Sequence, residues 1–337
     1  MTGTLPIDIS FHGDYRRLAA FAAQAEERGV SGFFVPEALD DPFISLTLAA
    51  TATTRIQLGT GVAIAFARTP MLMAYSAWHL HRVSGGRMIL GLGSQIKPHI
   101  AYRYGMPWSR PAERMHEYVL ALRAIWHAWQ TGEALDFRGE FSTHTLMPPL
   151  FSPGALDVAS PPIWLAAVGP RMLHVAGAVA DGLLCHPLVS RSYLQDVLIP
   201  GVTQSHASAG RHDEPFTIAV MAMVATGRTD DELRDAIAAT RKQIGFYSST
   251  PAYEPVLAHH GWSALHDEAR ALTKAGRWAE LAALIDDDVL NAFAIVGDVD
   301  TARAALQERF GGLVERVTLS LPYQAEDDVV LALAGTQ

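Results

Sequence analysis

The sequence predicts a (β/α)8 barrel, on three observations. Short apolar runs of strand type alternate with helical patterns eight times along 337 residues, and such alternation implies a parallel sheet. One βαβ unit is unusually plain: PPIWLAAVGPRMLHVAGAVADGLL at 161–184. No GxGxxG turn follows the first strand, which counts against a doubly wound open sheet.

The elements follow in order. Leu5–Phe11 reads as a strand, followed by an amphipathic helix over Tyr15–Arg28 closed by Gly29. Phe33–Pro36 precedes a helix at about 43–53, and Ile56–Val62 precedes one at about 70–84. Arg87–Leu92 leads through a loop to a long helix at about 111–130. Ile163–Ala166 is the fifth strand, broken by Gly169-Pro170 before a helix at Arg171–Val179. Asp181-Gly182 stops that helix, and Leu183-Leu184 opens the sixth strand. A helix near 191–209, a strand at Phe216–Val224, a helix at about 230–245, a helix at Asp300–Phe310 and a strand at Arg316–Leu321 complete the pattern.

The domain expectation is one barrel over 1–337, with insertions after strands 4 and 7 at about 93–160 and 227–315. The first insertion holds a hairpin-like stretch, Leu135–Leu150. The second mixes an aromatic loop, GFYSSTPAY, with short helices and an acidic helix start at Asp286-Asp287-Asp288. Insertions of this size commonly build a site.

Bulk properties exclude several classes. A net charge of −9, from 26 basic and 35 acidic residues, argues against nucleic acid or an anionic membrane as partner. Cys185 is the only cysteine, so neither a disulfide framework nor a cysteine metal site is expected. No signal peptide or membrane span is read, and a cytoplasmic location is expected. His79 and His81 would diverge by about 200° on a helix, so no metal site is expected there. No GxSxG elbow supports a serine nucleophile.

In a barrel, chemistry sits at the strand C-termini. The residues there are His12, Glu37, Gly61 with Val62, Gly93 to Gln95, Ala167 to Gly169, and His186. The Gly-Pro turn carries the sharpest signal. A proline in the first helical turn leaves free amides at the positive end of a helix dipole, which favours a phosphate. The same turn could be purely structural. Glu37 reads as a cofactor or substrate contact, or as a rim ion pair. His12 reads as a proton donor or a structural histidine. Arg171 could pair with an anion or point to solvent, its backbone amide being the better candidate. Phe246, Tyr247 and Tyr253 could wall a substrate pocket or form the core of their own loop.

Five segments occur in order across nearly the whole chain: FFVPEALDDPF (33–43), TTRIQLGTGVAIAFARTP (53–70), SGGRMILGLGSQ (84–95), ERMHEYVLALRAIW (113–126) and PPIWLAAVGPRM with VADG (161–182). Together they resemble the luciferase-like flavin monooxygenase superfamily, and within it most closely the branch that uses the deazaflavin coenzyme F420. The resemblance implies a (β/α)8 barrel, a cofactor across the strand C-termini, hydride chemistry with a small organic substrate, and a homodimer. It places the cofactor phosphate at Val168–Met172, including Pro170 and Arg171, and a non-proline cis peptide at Gly61-Val62. As strand-end positions, Gly93, Ser94 and Ala167 are further cofactor contacts, His186 could touch the phosphate tail, and Glu37 and His12 are the catalytic candidates. An FMN-dependent monooxygenase with a separate cofactor reductase, and a non-catalytic flavin-binding barrel, are the alternatives. Two departures matter. Alcohol- and sugar-oxidising relatives carry a histidine where this chain has Ala38, and some a glutamate where it has Ile96. Their acid/base pair is absent, which favours hydride delivery to an activated acceptor such as a conjugated alkene or imine.

Overall fold

The computed structural model describes residues 4–11 and 13–336. Eight parallel strands close into a barrel: β1 (Ile7–Ser10), β2 (Gly32–Val35), β3 (Gln57–Thr60), β4 (Met88–Gly93), β5 (Ile163–Ala166), β6 (Gly182–Cys185), β7 (Thr217–Ala225) and β8 (Arg316–Ser320). Each pairs with the next in the chain, and β8 pairs with β1 through Val317 against Ile7 and Thr318 against Asp8. The strands are short and buried on both faces, so they read as apolar runs rather than alternating ones.

The helices follow from caps the sequence supplies. Asp14, Asp41 and Thr69 cap α1 (Tyr15–Glu27), α2 (Pro42–Ala52) and α3 (Pro70–Val83), their side chains accepting amides of the first turn. Proline opens α2, α3, α4 (Pro111–Thr131) and α5 (Pro170–Val179), where its missing N–H costs nothing. The helix expected near 191–209 begins as a turn at Arg191–Tyr193, widens into a π-turn at Leu194–Leu198 and continues as α6 (Ile199–Ser208). The widened turn falls just before Pro200, which has no amide to give. α7 (Asp230–Ser248), α8 (Val299–Phe310) and the C-terminal α9 (Asp327–Ala334) complete the outer ring.

Three boundaries differ from the sequence expectation. The third strand ends at Thr60 rather than Val62; after a cis Gly61-Val62 peptide, Ala63–Ile64 resumes and pairs with β4 instead. The second insertion holds a strand, Ala294–Val296, alongside β7. The stretch taken for an aromatic loop is half helical, since α7 runs to Ser248 and includes Phe246 and Tyr247. The hairpin in the first insertion is present, with Phe137–Arg138 antiparallel to Thr143–His144. Its turn is pinned by the amides of Phe141 and Ser142 donating to Glu117 at 2.8 Å each.

Inside the barrel, Phe34, Ile89, Trp164, Leu184 and Ala219 pack together. Beneath them, at the strand N-termini, lies a buried ion pair: Arg316 Nε donates to Asp8 Oδ2 at 2.8 Å, and a second guanidinium nitrogen donates to Oδ1. Asp8 has no solvent exposure. The guanidinium also donates to Gln57 and lies 5.6 Å from the Trp164 ring centre. Gly32 makes room for the pair, because a Cβ there would stand 2.5 Å from Asp8 Oδ1.

Removing one partner leaves the other charged and buried, which costs about 3–5 kcal/mol. Asp8→Ala should therefore lose about that much stability in urea denaturation, whereas Asp8→Leu with Arg316→Met should lose much less. Equal losses in both variants would show that the pair does not act as a unit.

Candidate functional site

A cavity of about 630 Å³ opens at the strand C-termini. Its floor comes from interior-facing strand residues: Ser10, Phe34, Leu184, Met221 and Thr318. These follow from period-two alternation along each strand, a signal that the strand-end inspection passed over. One wall is backbone-rich, made by Gly61, Val62, Gly93 and Ser94. After Ser94, Gln95 sits at φ +58°, a conformation side chains rarely adopt. It turns Ile96 and Lys97 to the rim, where both line the cavity.

The adjoining wall is the turn after β5, the strand paired with β4. Ala167, Val168, Gly169 and Met172 line the cavity; Pro170 and Arg171 do not. Gly169 is the N-cap of α5 and no side chain caps that end. The first helical bond runs from the Leu173 amide to the Gly169 carbonyl at 3.0 Å, so the Arg171 and Met172 amides precede the ladder. A Cβ on Gly169 would meet nothing within 4 Å. The turn thus has the features of an anion cradle: free amides, a helix dipole and open space before them. The Arg171 side chain points away, exposed and paired with Glu113; its charge is spent on the outer surface.

Glu37 does not face the cavity either. Its carboxylate accepts the Ile64 amide at 2.7 Å and a guanidinium nitrogen of Arg68, whose other nitrogen donates to Asp41 at 2.9 Å. Its own amide donates to the Val62 carbonyl at 3.0 Å. Glu37 thus straddles the Gly61–Ile64 segment and fixes it from behind, as the ion-pair reading has it. His12 lies outside the described residues.

The insertion after β7 supplies the aromatic side. Tyr247 and Tyr253 line the cavity, but Phe246 projects outward and packs on Trp278, because consecutive helical side chains point about 100° apart. His186, just past β6, lies between the two tyrosines. Its ring stacks on Tyr253 at 4.2 Å and meets Tyr247 edge-on at 4.5 Å. Burial pushes its pKa down to about 3, so the imidazole is neutral at ordinary pH. Burial likewise pushes the Cys185 thiol up to about 12, far from a reactive thiolate. No carboxylate lines the cavity among the described residues, and Lys97 is the one lining cation.

Comparison with known proteins places this geometry in context. The family model for luciferase-like monooxygenases matches residues 3–316. An uncharacterised protein of Mycobacterium tuberculosis is 50% identical over 313 residues, covering 93% of this chain and 92% of that one. The F420-dependent tetrahydromethanopterin reductase of Methanopyrus kandleri superimposes with a TM-score of 0.78 at 22% identity, over 98% of each chain. The FMN-bound oxygenating component of 3,6-diketocamphane monooxygenase from Pseudomonas putida gives 0.64 at 17% identity, over 98% of this chain and 96% of that one.

Replacing Glu37 with alanine frees the Ile64 amide and leaves Arg68 half-paired. Such a loss, between a surface and a fully buried pair, costs about 2–3 kcal/mol. Thermal denaturation should show it, with the barrel still folded; unchanged stability would remove Glu37 from its bracing role.

Proposed function

This chain belongs to the luciferase-like monooxygenase family, and from that premise we propose that it is a coenzyme F420-dependent oxidoreductase moving hydride between the deazaflavin and a small organic substrate. The observation that carries the reading is the uncapped start of α5 opening on the cavity. It offers two backbone amides and a helix dipole, with no side chain in the way, to one phosphate.

The residues present fit such a cofactor. The Arg171 and Met172 amides would hold the phosphate, with Ala167, Val168 and Gly169 allowing close approach. The flat backbone of Gly61-Val62 and the open face of Gly93-Ser94 would receive the ring system. Once bound, the deazaflavin supplies a two-electron hydride. The protein's own part is to orient the reactants. Phe34, Trp108, Leu184 and Met221 present an apolar lining, and Glu37 holds the Gly61–Ile64 wall in place. Among the described residues no carboxylate lines the cavity, which argues against a carboxylate base for the hydroxyl proton of an alcohol. Delivery of hydride to an activated acceptor needs no such base.

The FMN-bound relative keeps a second reading in view: an FMN-dependent monooxygenase fed by a separate reductase. A third is a barrel that binds cofactor without turnover. A homodimer is also proposed. It is supported by outward apolar residues on neighbouring helices α2 and α3, where Ile44 and Leu72 are each 60% exposed.

Titration should show F420 fluorescence quenched with a micromolar dissociation constant. Gly169→Val should abolish quenching while circular dichroism and melting stay unchanged, since the added side chain enters open space. FMN binding without any effect on F420 would overturn the F420 reading. Unchanged F420 affinity in the variant would overturn the phosphate assignment. Sedimentation velocity should report a dimer of 36.5 kDa chains, converted to monomer by Ile44→Glu with Leu72→Glu; a wild-type monomer would contradict the dimer.

A further inference from the structure

The polar groups of the cavity are few, and one of them has its hydrogen-bonding direction fixed by the backbone. The Leu188 amide donates to His186 Nδ1 at 3.1 Å. A nitrogen that accepts an amide proton carries no proton of its own, so in the neutral ring the proton lies on Nε2. Protonating Nδ1 would set two N–H groups against each other. Stacking on Tyr253 and edge contact with Tyr247 hold the ring plane. Nε2 has no hydrogen-bond partner among the described residues, and the residue lines the cavity. It is thus a pre-oriented neutral donor in the wall of the cavity, on the side built by the second insertion rather than by the phosphate turn.

We propose that His186, through Nε2–H, orients the carbonyl oxygen of a conjugated, largely apolar enone, which is the substrate class of this site. The proposal rests on the hydride-transfer reading above. Chemistry narrows the class. His186 cannot accept a proton at either nitrogen, so it is no base for an alcohol. Among the described residues no carboxylate lines the cavity to steady a cationic iminium. A neutral imidazole is also a poor acid, so direct protonation of a carbonyl oxygen is disfavoured. An enone needs neither. The C=C π bond breaks; one C–H bond forms at the β-carbon with hydride from a reduced deazaflavin, and another at the α-carbon with a proton from water. The enone gains two electrons and becomes a saturated ketone. The deazaflavin loses two, and its released proton returns to solvent. Negative charge builds on the carbonyl oxygen during the transfer, and there a fixed N–H donor acts more strongly than in the ground state.

The test has two independent arms. With 15N-histidine labelling, His186 is identified by the signal lost in His186→Gln. It should remain the neutral Nε2–H tautomer from about pH 5 to pH 8. An Nδ1–H or doubly protonated ring would overturn the donor assignment whatever the cofactor. In the second arm, cyclohex-2-enone is the probe and return of F420 fluorescence reads oxidation of reduced F420. At saturating reduced F420, His186→Phe should lower kcat/KM by about tenfold or more, and His186→Gln, which restores a neutral N–H, should recover part of the loss. Wild-type kcat/KM in His186→Phe would overturn the proposal. Bound F420 with no turnover of the enone would overturn the substrate class. Absence of F420 binding by the wild type would fail the cofactor reading instead, and the tautomer spectrum would still decide the donor assignment.

Discussion

Closure of the barrel between its first and last strands is the constraint on which the rest depends. β1 and β8 lie at opposite ends of the sequence, and Ile7 must meet Val317 in register for the sheet to have no edge. The Asp8–Arg316 pair sits at that seam, satisfied on both carboxylate oxygens, with its guanidinium beneath the stacked rings of Phe34 and Trp164. A slip of one residue would turn Asp8 outward and bring an apolar neighbour in. The pair is an expensive way to hold a core, since apolar residues of similar size would often do as well energetically. What it contributes is directional: the bidentate fork fixes which residues oppose one another at the seam. Once the seam is set, all strand ends converge on one mouth, and residues from β1, β2, β4, β5, β6, β7 and β8 line a common cavity.

Rigidity at that mouth is delegated to groups that do not touch the cavity. Glu37 is the clearest case. It stands at a strand end, where barrel enzymes place their chemistry, yet its carboxylate is turned to the Ile64 amide and Arg68. Arg171 is its counterpart on the other wall, paired outward with Glu113 while its backbone faces the anion cradle. The Glu37 and Arg171 side chains are therefore structural, and the cavity is lined by backbone, aromatic rings, hydroxyl and amide side chains, one neutral imidazole and the Lys97 ammonium. Among the described residues no carboxylate lines it, so the site suits orientation of a ligand more than proton transfer.

Much of the fold was legible in the sequence because helix caps and Gly-Pro breaks are local signals. Gly29 after α1 and Gly169-Pro170 before α5 mark helix ends in the sequence and in the structure alike. Ala294–Val296 was not legible, since three apolar residues beside a helix have no period of their own. Nor was the extension of α7 through Phe246 and Tyr247, where glycine and serine imitate a loop. For the site, the turn after β5 and the wall residues Gly61, Val62, Gly93 and Ser94 were readable as strand ends that line the cavity. The direction of the Glu37 carboxylate was not, because it depends on Arg68 and Ile64, reached only through tertiary packing. His186 was visible as a strand-end histidine, but its tautomer depends on the amide of Leu188 two residues on.

The central claim is that this barrel mouth binds a deazaflavin by its phosphate at the start of α5. A crystal structure of the protein soaked with F420 tests it most directly. The account predicts a phosphate on the Arg171 and Met172 amides, with the ring against Gly61-Val62 and its reactive face toward His186. A phosphate bound elsewhere, or a ring on the far side of the tyrosine wall, would contradict it.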